Sequence, residues 1–155
     1  MEDRYLYKAK RVDNKEWIQG VPFEVEGKTV ILISDNENML RVHYLEENMW
    51  EADIYAVEVD PSTICQCTGL KDKNSKLIWE NDIIKTFDAG EEWCLSKIIF
   101  ADTSLGCGWK TTDIKSLSKY NNNLFKEVSF GSFDSKSVEI VGNIFDNKEL
   151  LESEE

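Results

Sequence analysis

Short apolar segments broken by turn residues run the length of this chain, and stretches with the 3.6-residue spacing of a helix are scarce. Tyr5 to Val12 reads as a strand, Asp13-Asn14-Lys15 as a turn, and Glu16 to Gly20 as the returning strand of a hairpin. Pro22 restricts where that second strand can pair, because it has no N–H to give to a ladder. Beyond Glu26-Gly27, the run Lys28 to Ser34 (KTVILIS) is β-branched and apolar enough for a strand covered on both faces. Residues 39–53, MLRVHYLEENMWEAD, carry two patterns at once. Leu40, Tyr44, Leu45 and Met49 fit a helix, whereas Arg41 to Leu45 also fits a strand. Ile54 to Val59 alternates as a strand does, and Asp60-Pro61-Ser62 stops it. Asp82 to Phe87, Trp93 to Phe100 and Ser137 to Val141 are further strands, the first two joined by a turn at Asp88-Ala89-Gly90-Glu91. Ala101 to Asn123, rich in small and polar residues around Gly106 and Gly108, reads as mostly loop. Asn147 stands as the N-cap of a short terminal helix through Glu149, Leu150 and Leu151.

This spacing predicts a mainly β (β-rich α+β) fold of short-stranded sheets that includes a small barrel, with a short C-terminal helix. A chain of 155 residues is one domain by length, here residues 1–155, with a subdivision near residue 60 between an N-terminal β region and a barrel-like region. With 41% hydrophobic residues and 7 Phe, 5 Trp and 5 Tyr, it can build its own core and is not a disordered chain. The N-terminus lacks the charged-then-apolar pattern of a secretory signal, and no apolar run approaches the roughly 20 residues that span a bilayer. The expectation is a cytoplasmic protein that does not engage membranes.

The net charge of −12 is placed unevenly. Residues 31–60 carry 8 acidic and 1 basic side chain, residues 121–155 carry 8 and 3, and the remaining segments balance. Such a surface repels phosphate backbones and disfavours nucleic acid as a partner. A basic partner or mimicry of DNA would use these clusters, but a solvated face with a frayed tail accounts for them without either.

Candidate chemistry is sparse. His43 is the single histidine, so a histidine-only metal site is excluded, and any nucleophile–histidine–acid triad would have to run through it. Of the four cysteines, only Cys65 and Cys67 are close, as C-Q-C, which is not the C-x₂₋₄-C spacing of a zinc site. On a strand those two share a face; together with Cys94 and Cys107 they are expected as buried free thiols. Gly69 stands alone between Gly27 and Gly90, so no glycine-rich phosphate loop exists there. Asp72, Glu80 and Asp82 lack the alternate-position pattern of a calcium loop. Asp72 sits where aspartate commonly begins a turn by accepting the N–H two residues on, and Asp82, after Asn81, can do the same at a second corner. The five tryptophans, Trp17, Trp50, Trp79, Trp93 and Trp109, fit core packing better than a stacking platform, since lysine and arginine are not interleaved among them. No catalytic, cofactor-binding or metal-binding residue is expected, and no cofactor.

The stretch VDPSTICQCTGLKDKNSKLIWENDII, Val59 to Ile84, is the most specified in the chain. Pro61, Thr63, Gln66, Thr68, Gly69, Leu70, Asp72, Ile78, Trp79, Glu80, Asp82 and Ile83 match the pattern P-x-T-x-x-Q-x-T-G-L-x-D-x-x-G-x-x-I-[YFW]-E-G-D-[IV]. This resembles the central motif of the YopX family of phage and prophage proteins. The opening, Tyr7 to Arg11 with Asp13-Asn14 and Glu16-Trp17, and the ending, Val138 to Asn147 with Glu149-Leu150-Leu151, resemble that family's two ends. Two residues depart from the pattern: Ser75 and Asn81 stand where it has glycines, at positions expected to adopt a left-handed backbone. The resemblance implies phage or prophage origin, a β-rich fold with a small SH3-like barrel and a tendency to self-associate, and it implies no assigned activity. The reading is a non-catalytic accessory protein that binds a host or phage protein or forms a homo-oligomer. The alternatives are nucleic-acid binding through a barrel face and, behind it, a metal-dependent hydrolase drawing on the acidic side chains.

Overall fold

The computed structural model describes residues 6–33, 41–46, 49–53, 55–88, 91–103, 106–117, 128–129 and 137–152. Their backbone is mainly antiparallel β-structure, as the alternation predicts, and it forms two compact units, Met1–Gln66 and Cys67–Glu155.

The first unit begins with β1 (Tyr7–Lys10), β2 (Trp17–Val25) and β3 (Lys28–Ile33). Side-chain oxygens of Asp13 and Asn14 shape the first turn, accepting the N–H groups of Asn14 at 2.8 Å and Glu16 at 3.0 Å. β2 is a relay: residues 17–20 pair with β1 and residues 21–25 with β3. Pro22 lies just past the change of partner, opposite Ile31, where its missing N–H interrupts neither ladder's start. At the change itself only glycine fits, for a Cβ on Gly20 would lie 2.1 Å from the Leu32 carbonyl oxygen and 2.7 Å from Ile31 Cγ2. The next turn, Glu26-Gly27, has both φ angles positive, 51° and 75°, as a two-residue type I′ hairpin requires.

The ambiguous stretch resolves as a hairpin, β4 (Arg41–Glu46) with β5 (Met49–Asp53), followed by β6 (Tyr55–Glu58) against β3. Cross-strand pairing sets Val42 against Ala52 and Tyr44 against Trp50, and this outweighs the helical spacing of Leu40, Tyr44, Leu45 and Met49. His43 stands opposite Glu51 in that ladder; its side chain lies outside the described residues. The core gathers Ala9, Ile31 and Val59, with Ile18 and Ile64 packed against them. Val30 and Ile31, neighbours on β3 and so on opposite faces, are both buried, at 8% and 0% exposure, which agrees with a strand covered on both faces.

β7 (Cys65–Lys71) pairs with β1 through its first two residues and then with β8 (Leu77–Trp79). The second unit continues with β9 (Asp82–Asp88), β10 (Glu91–Thr103), β11 (Gly106–Ser116), β12 (Val128–Ser129) and β13 (Val138–Asn143). Their order across the sheet is β12-β11-β10-β9-β13. No ladder among the described residues joins its outer strands, so the expected barrel is here an open sheet. The residues Ala89-Gly90 of the expected turn lie outside the described residues.

Within the stretch Ala101 to Asn123, expected as mostly loop, Ala101–Thr103 and Gly106–Ser116 are strand. Gly106 and Gly108 weaken the intrinsic preference, but the register with β10 sets Thr111 against Ile98 and Trp109 against Phe100, whose rings meet edge to face at 5.2 Å. Ile78, Ile84, Ile98 and Val138 are fully buried in this unit's core, with Trp109 and Ile140 against them. Burying each such side chain contributes about 1.5–3 kcal/mol. The expected terminal helix is a single 3-10 turn, Lys148–Leu151. Four residues are too few to sustain a helix, and Asn147 does not cap it: its Oδ1 accepts the Asn143 N–H at 3.2 Å. No helix among the described residues is long and apolar enough to cross a membrane.

Gly20→Ala forces a Cβ into backbone and is expected to destabilise the chain by about 1–3 kcal/mol in urea unfolding. An unchanged midpoint would show that β2 and β3 are further apart than described.

Candidate functional site

The central motif begins in the first unit. Asp60 caps a 3-10 turn at Pro61–Thr63, its carboxylate accepting the Ser62 N–H at 3.0 Å and the Ser62 hydroxyl at 2.7 Å. The hydroxyl pulls harder than the N–H, and together they hold the Asp60 carboxyl below its ordinary pKa. Thr63 is buried; its hydroxyl donates to the Asp60 carbonyl and accepts the Lys10 N–H, both at 2.8 Å. Gln66 stands opposite Tyr7 in the ladder of β7 with β1.

In the second unit the motif is a hairpin and a corner. Between the pairs Cys67–Trp79 and Lys71–Leu77, three residues of β7, Thr68 to Leu70, face one residue of β8, Ile78. Thr68 closes this bulge: its hydroxyl donates to the Ile78 carbonyl at 2.8 Å and accepts the Leu70 N–H at 3.1 Å. Gly69 supplies the positive φ of 77° that the bulge requires.

Asp72 follows and is 3% exposed. One carboxylate oxygen accepts the N–H groups of Asn74 at 2.8 Å and Lys76 at 2.9 Å, as expected for a turn-starting aspartate. The other reaches out of the loop to the N–H of Ile140 in β13, at 3.2 Å. Beside it the Lys73 N–H donates to the Val138 carbonyl at 2.9 Å, and the Lys73 ammonium meets the Glu139 carboxylate at 2.6 Å. The loop thus occupies the edge of β13, whose ladder partner among the described residues is β9. That surface ion pair adds little stability. Burial would raise the Asp72 pKa, but the N–H groups of Lys76, Ile140 and Asn74, together with the Asn74 side chain, outweigh it and hold the carboxyl below its ordinary value.

Ser75, at φ 64°, takes the left-handed backbone expected where the motif has glycine, and so does Asn81, also at 64°. For Ser75 that conformation costs about 1 kcal/mol; asparagine tolerates it better. Asn81 joins the corner to both neighbours: its N–H donates to the Ile98 carbonyl at 2.9 Å, and its carbonyl accepts the Ile144 N–H at 3.1 Å. Asp82 works in the opposite direction from the one expected, accepting the N–H of Trp79 three residues before it at 2.8 Å. Ile78 and Trp79 are buried, Glu80 is half-buried and Leu70 is exposed. The carboxylates of Asp72 and Asp82 thus hold backbone in place.

Cys65, Cys67 and Cys94 are buried thiols outside any disulfide, as expected, whereas Cys107 is exposed near the start of β11. One cluster had no signal beyond alternating polar positions on β9 and β10. The Cys94 thiol lies 3.2 Å from the Thr86 hydroxyl and 3.3 Å from that of Ser96, which donates to Asp113 at 2.6 Å. Burial pushes the Cys94 pKa up, with the Asp113 carboxylate adding to it against the two hydroxyls, so the thiol stays protonated and is no nucleophile near neutrality. Among the described residues no three His, Cys, Asp or Glu side chains come together as a metal site.

The tryptophans divide. Trp79 is buried and Trp109 packs on the core, but Trp17 is half-buried with the Lys8 and Lys10 ammonium groups 5.0 and 5.4 Å from its ring centre. The side chains of Trp50 and Trp93 lie outside the described residues. Trp17 belongs to a row on β2 that alternation places on one face, with Gln19, Val21, Phe23 and Val25. Ile18, on the other face, packs on the core, whereas Val21, Phe23 and Val25 are 45%, 57% and 44% exposed. This apolar row is the chain's candidate interaction surface.

Two antiparallel β units, the second organised by a buried hairpin-and-corner motif, define a mainly β protein. The YopX protein family model matches residues 6–152, and the chain belongs to the YopX family. The crystal structure of protein EF1440 from Enterococcus faecalis is similar over 94% of this chain and 96% of that one, at 22% sequence identity and a TM-score of 0.48. No curated protein matches the chain.

Asp72→Asn sets an amide NH₂ against the Ile140 N–H or the loop N–H groups and is expected to cost about 2–4 kcal/mol. Because the folded pKa of Asp72 is depressed, its contribution is full above the unfolded carboxyl's value of about 3.9 and is lost as pH falls through the folded pKa. The wild-type advantage over Asp72→Asn in urea unfolding should therefore shrink below about pH 4. A gap that is constant with pH would remove the carboxylate from the explanation.

Proposed function

We propose that this chain is a phage- or prophage-encoded accessory protein that works by binding another protein, a host or phage protein or a second copy of itself, through the outer face of β2. The carrying observation is the row Val21, Phe23 and Val25. A half-buried antiparallel strand ordinarily turns apolar residues inward and polar ones outward. β2 keeps Ile18 inward and still exposes these three side chains. Across the β2–β3 ladder they stand opposite half-buried Leu32, buried Val30 and exposed Lys28, so the exposed apolar row is that of β2 itself. Exposed contiguous apolar surface of this kind marks interaction sites on soluble proteins.

A photo-crosslinking residue placed at Phe23 is expected to give one defined adduct in the host cell, and the same residue at exposed Glu152 is expected to give none. Val21→Ser with Val25→Ser should abolish that adduct while leaving the unfolding midpoint of the chain within about 0.5 kcal/mol of wild type. An adduct at twice the chain mass would identify the second copy as the partner. Equal adducts at both positions, or none at Phe23, would overturn the proposal.

A further inference from the structure

β10 runs further than the strand beside it. Its ladder with β9 ends at the pair Lys97–Ile83, and the Asn81 N–H adds one more bond, to the Ile98 carbonyl at 2.9 Å. On its other side β10 stays paired with β11 as far as Thr103. In an antiparallel strand each residue turns its N–H and C=O to the same neighbour, and successive residues turn to opposite neighbours. The Ile98 carbonyl points to the β9 side, so the N–H and C=O groups of Phe100 and Asp102 point there too, past the end of β9. Ile99, Ala101 and Thr103 turn theirs to β11 instead. Among the described residues, no ladder or backbone bond meets Phe100 or Asp102 on the β9 side.

The same two residues expose their side chains on one face of β10. Phe100 is 52% exposed even with the edge of its ring against Trp109. Asp102 is exposed, and no ion pair or hydrogen bond meets its carboxylate among the described residues. An unpaired stretch of strand is a template for another strand.

We propose that the outer edge of β10, from Ile99 to Thr103, binds an extended basic and apolar segment of another protein as an added strand. The segment bonds to the main chain of Phe100 and Asp102, and sets an apolar side chain against Phe100 and a lysine or arginine against Asp102. Five residues at about 3.4 Å each give an edge about 17 Å long, so the segment needs only about five residues in register. This edge belongs to the second unit, and its role does not depend on the reading of the β2 row.

Charge decides the occupant. A net charge of −12 draws in cationic segments and repels acidic peptides and phosphate backbones. It also opposes a second copy of the chain. Antiparallel self-pairing about Ala101 sets each Asp102 against a Phe100, leaves both carboxylates without a cation and brings two acidic chains together.

Amide exchange and peptide selection on the full chain test this. In the chain alone the Phe100 and Asp102 amides should exchange fast and the Ala101 amide slowly. A random twelve-residue peptide display library should enrich peptides carrying Lys or Arg two residues from an apolar side chain, and these peptides should protect the Phe100 and Asp102 amides. Their affinity, read by fluorescence anisotropy, should fall about ten-fold or more in Asp102→Lys and weaken as salt rises. It should be unchanged in Phe23→Ser, with the unfolding midpoints of both variants matching wild type. Slow exchange at Phe100 and Asp102 in the chain alone would overturn the open edge. No enrichment, or peptides indifferent to Asp102→Lys, would overturn the basic segment. Peptides lost only in Phe23→Ser would overturn it too, while supporting the β2 row. Protection of these two amides that grows with chain concentration would make the second copy the occupant.

Discussion

The carboxylate of Asp72 closes its own loop through Asn74 and Lys76 and fastens that loop to β13 through Ile140. A carboxylate at 3% exposure must have its charge met by hydrogen bonds or be destabilising, and here backbone N–H groups meet it. Much of the second unit's connectivity follows. The β7–β8 hairpin ends in a loop that covers the edge of β13, and Asn81 ties the following corner to β10 and to the turn after β13. An open sheet edge is a hazard for unwanted pairing, and the loop covers this one with the Asp72 carboxylate and the Lys73 N–H. Thr68, Gly69, Asp72 and Asn81 thus each serve the backbone, through side-chain hydrogen bonds, a left-handed φ or bonds between main chains.

That division between scaffold and surface shapes the functional picture. The second unit holds the larger part of the central motif, from Thr68 to Ile83, and a buried polar cluster around Cys94, whose thiol stays protonated. The first unit holds the exposed row on β2 with cations at one end. The central motif and the exposed row Val21, Phe23 and Val25 are therefore different sets of residues. A protein selected for binding can vary the second while keeping the first.

What could be read from the sequence was local chemistry. The turn role of Asp72, the left-handed backbone at Ser75 and Asn81, and the stop at Asp60-Pro61-Ser62 each follow from side chains acting on neighbouring backbone. What could not be read depended on partners distant in sequence. Gly106 to Ser116 has little strand character alone and becomes a strand because β10 supplies Ile98 and Phe100 opposite Thr111 and Trp109. Asp82 bonds backward to Trp79 because the corner folds over it, a direction that spacing does not encode. The third bond of Asp72, to Ile140, spans 68 residues and has no local signature at all. The β2 row was hidden for a related reason. Its alternation was visible, but which face would meet the core depended on the pairing of β2 with two different strands.

Amide hydrogen exchange at Ile140 tests most directly whether the Asp72 carboxylate fastens the loop to β13. Its N–H has that carboxylate as acceptor on an edge that, among the described residues, the loop covers, so protection should match that of the β9–β10 amides in the wild type. In Asp72→Ala it should fall towards that of a free strand edge, with Asn74 and Lys76 losing protection alongside it. Rapid exchange of Ile140 in the wild type, or protection unchanged in Asp72→Ala, would contradict the account.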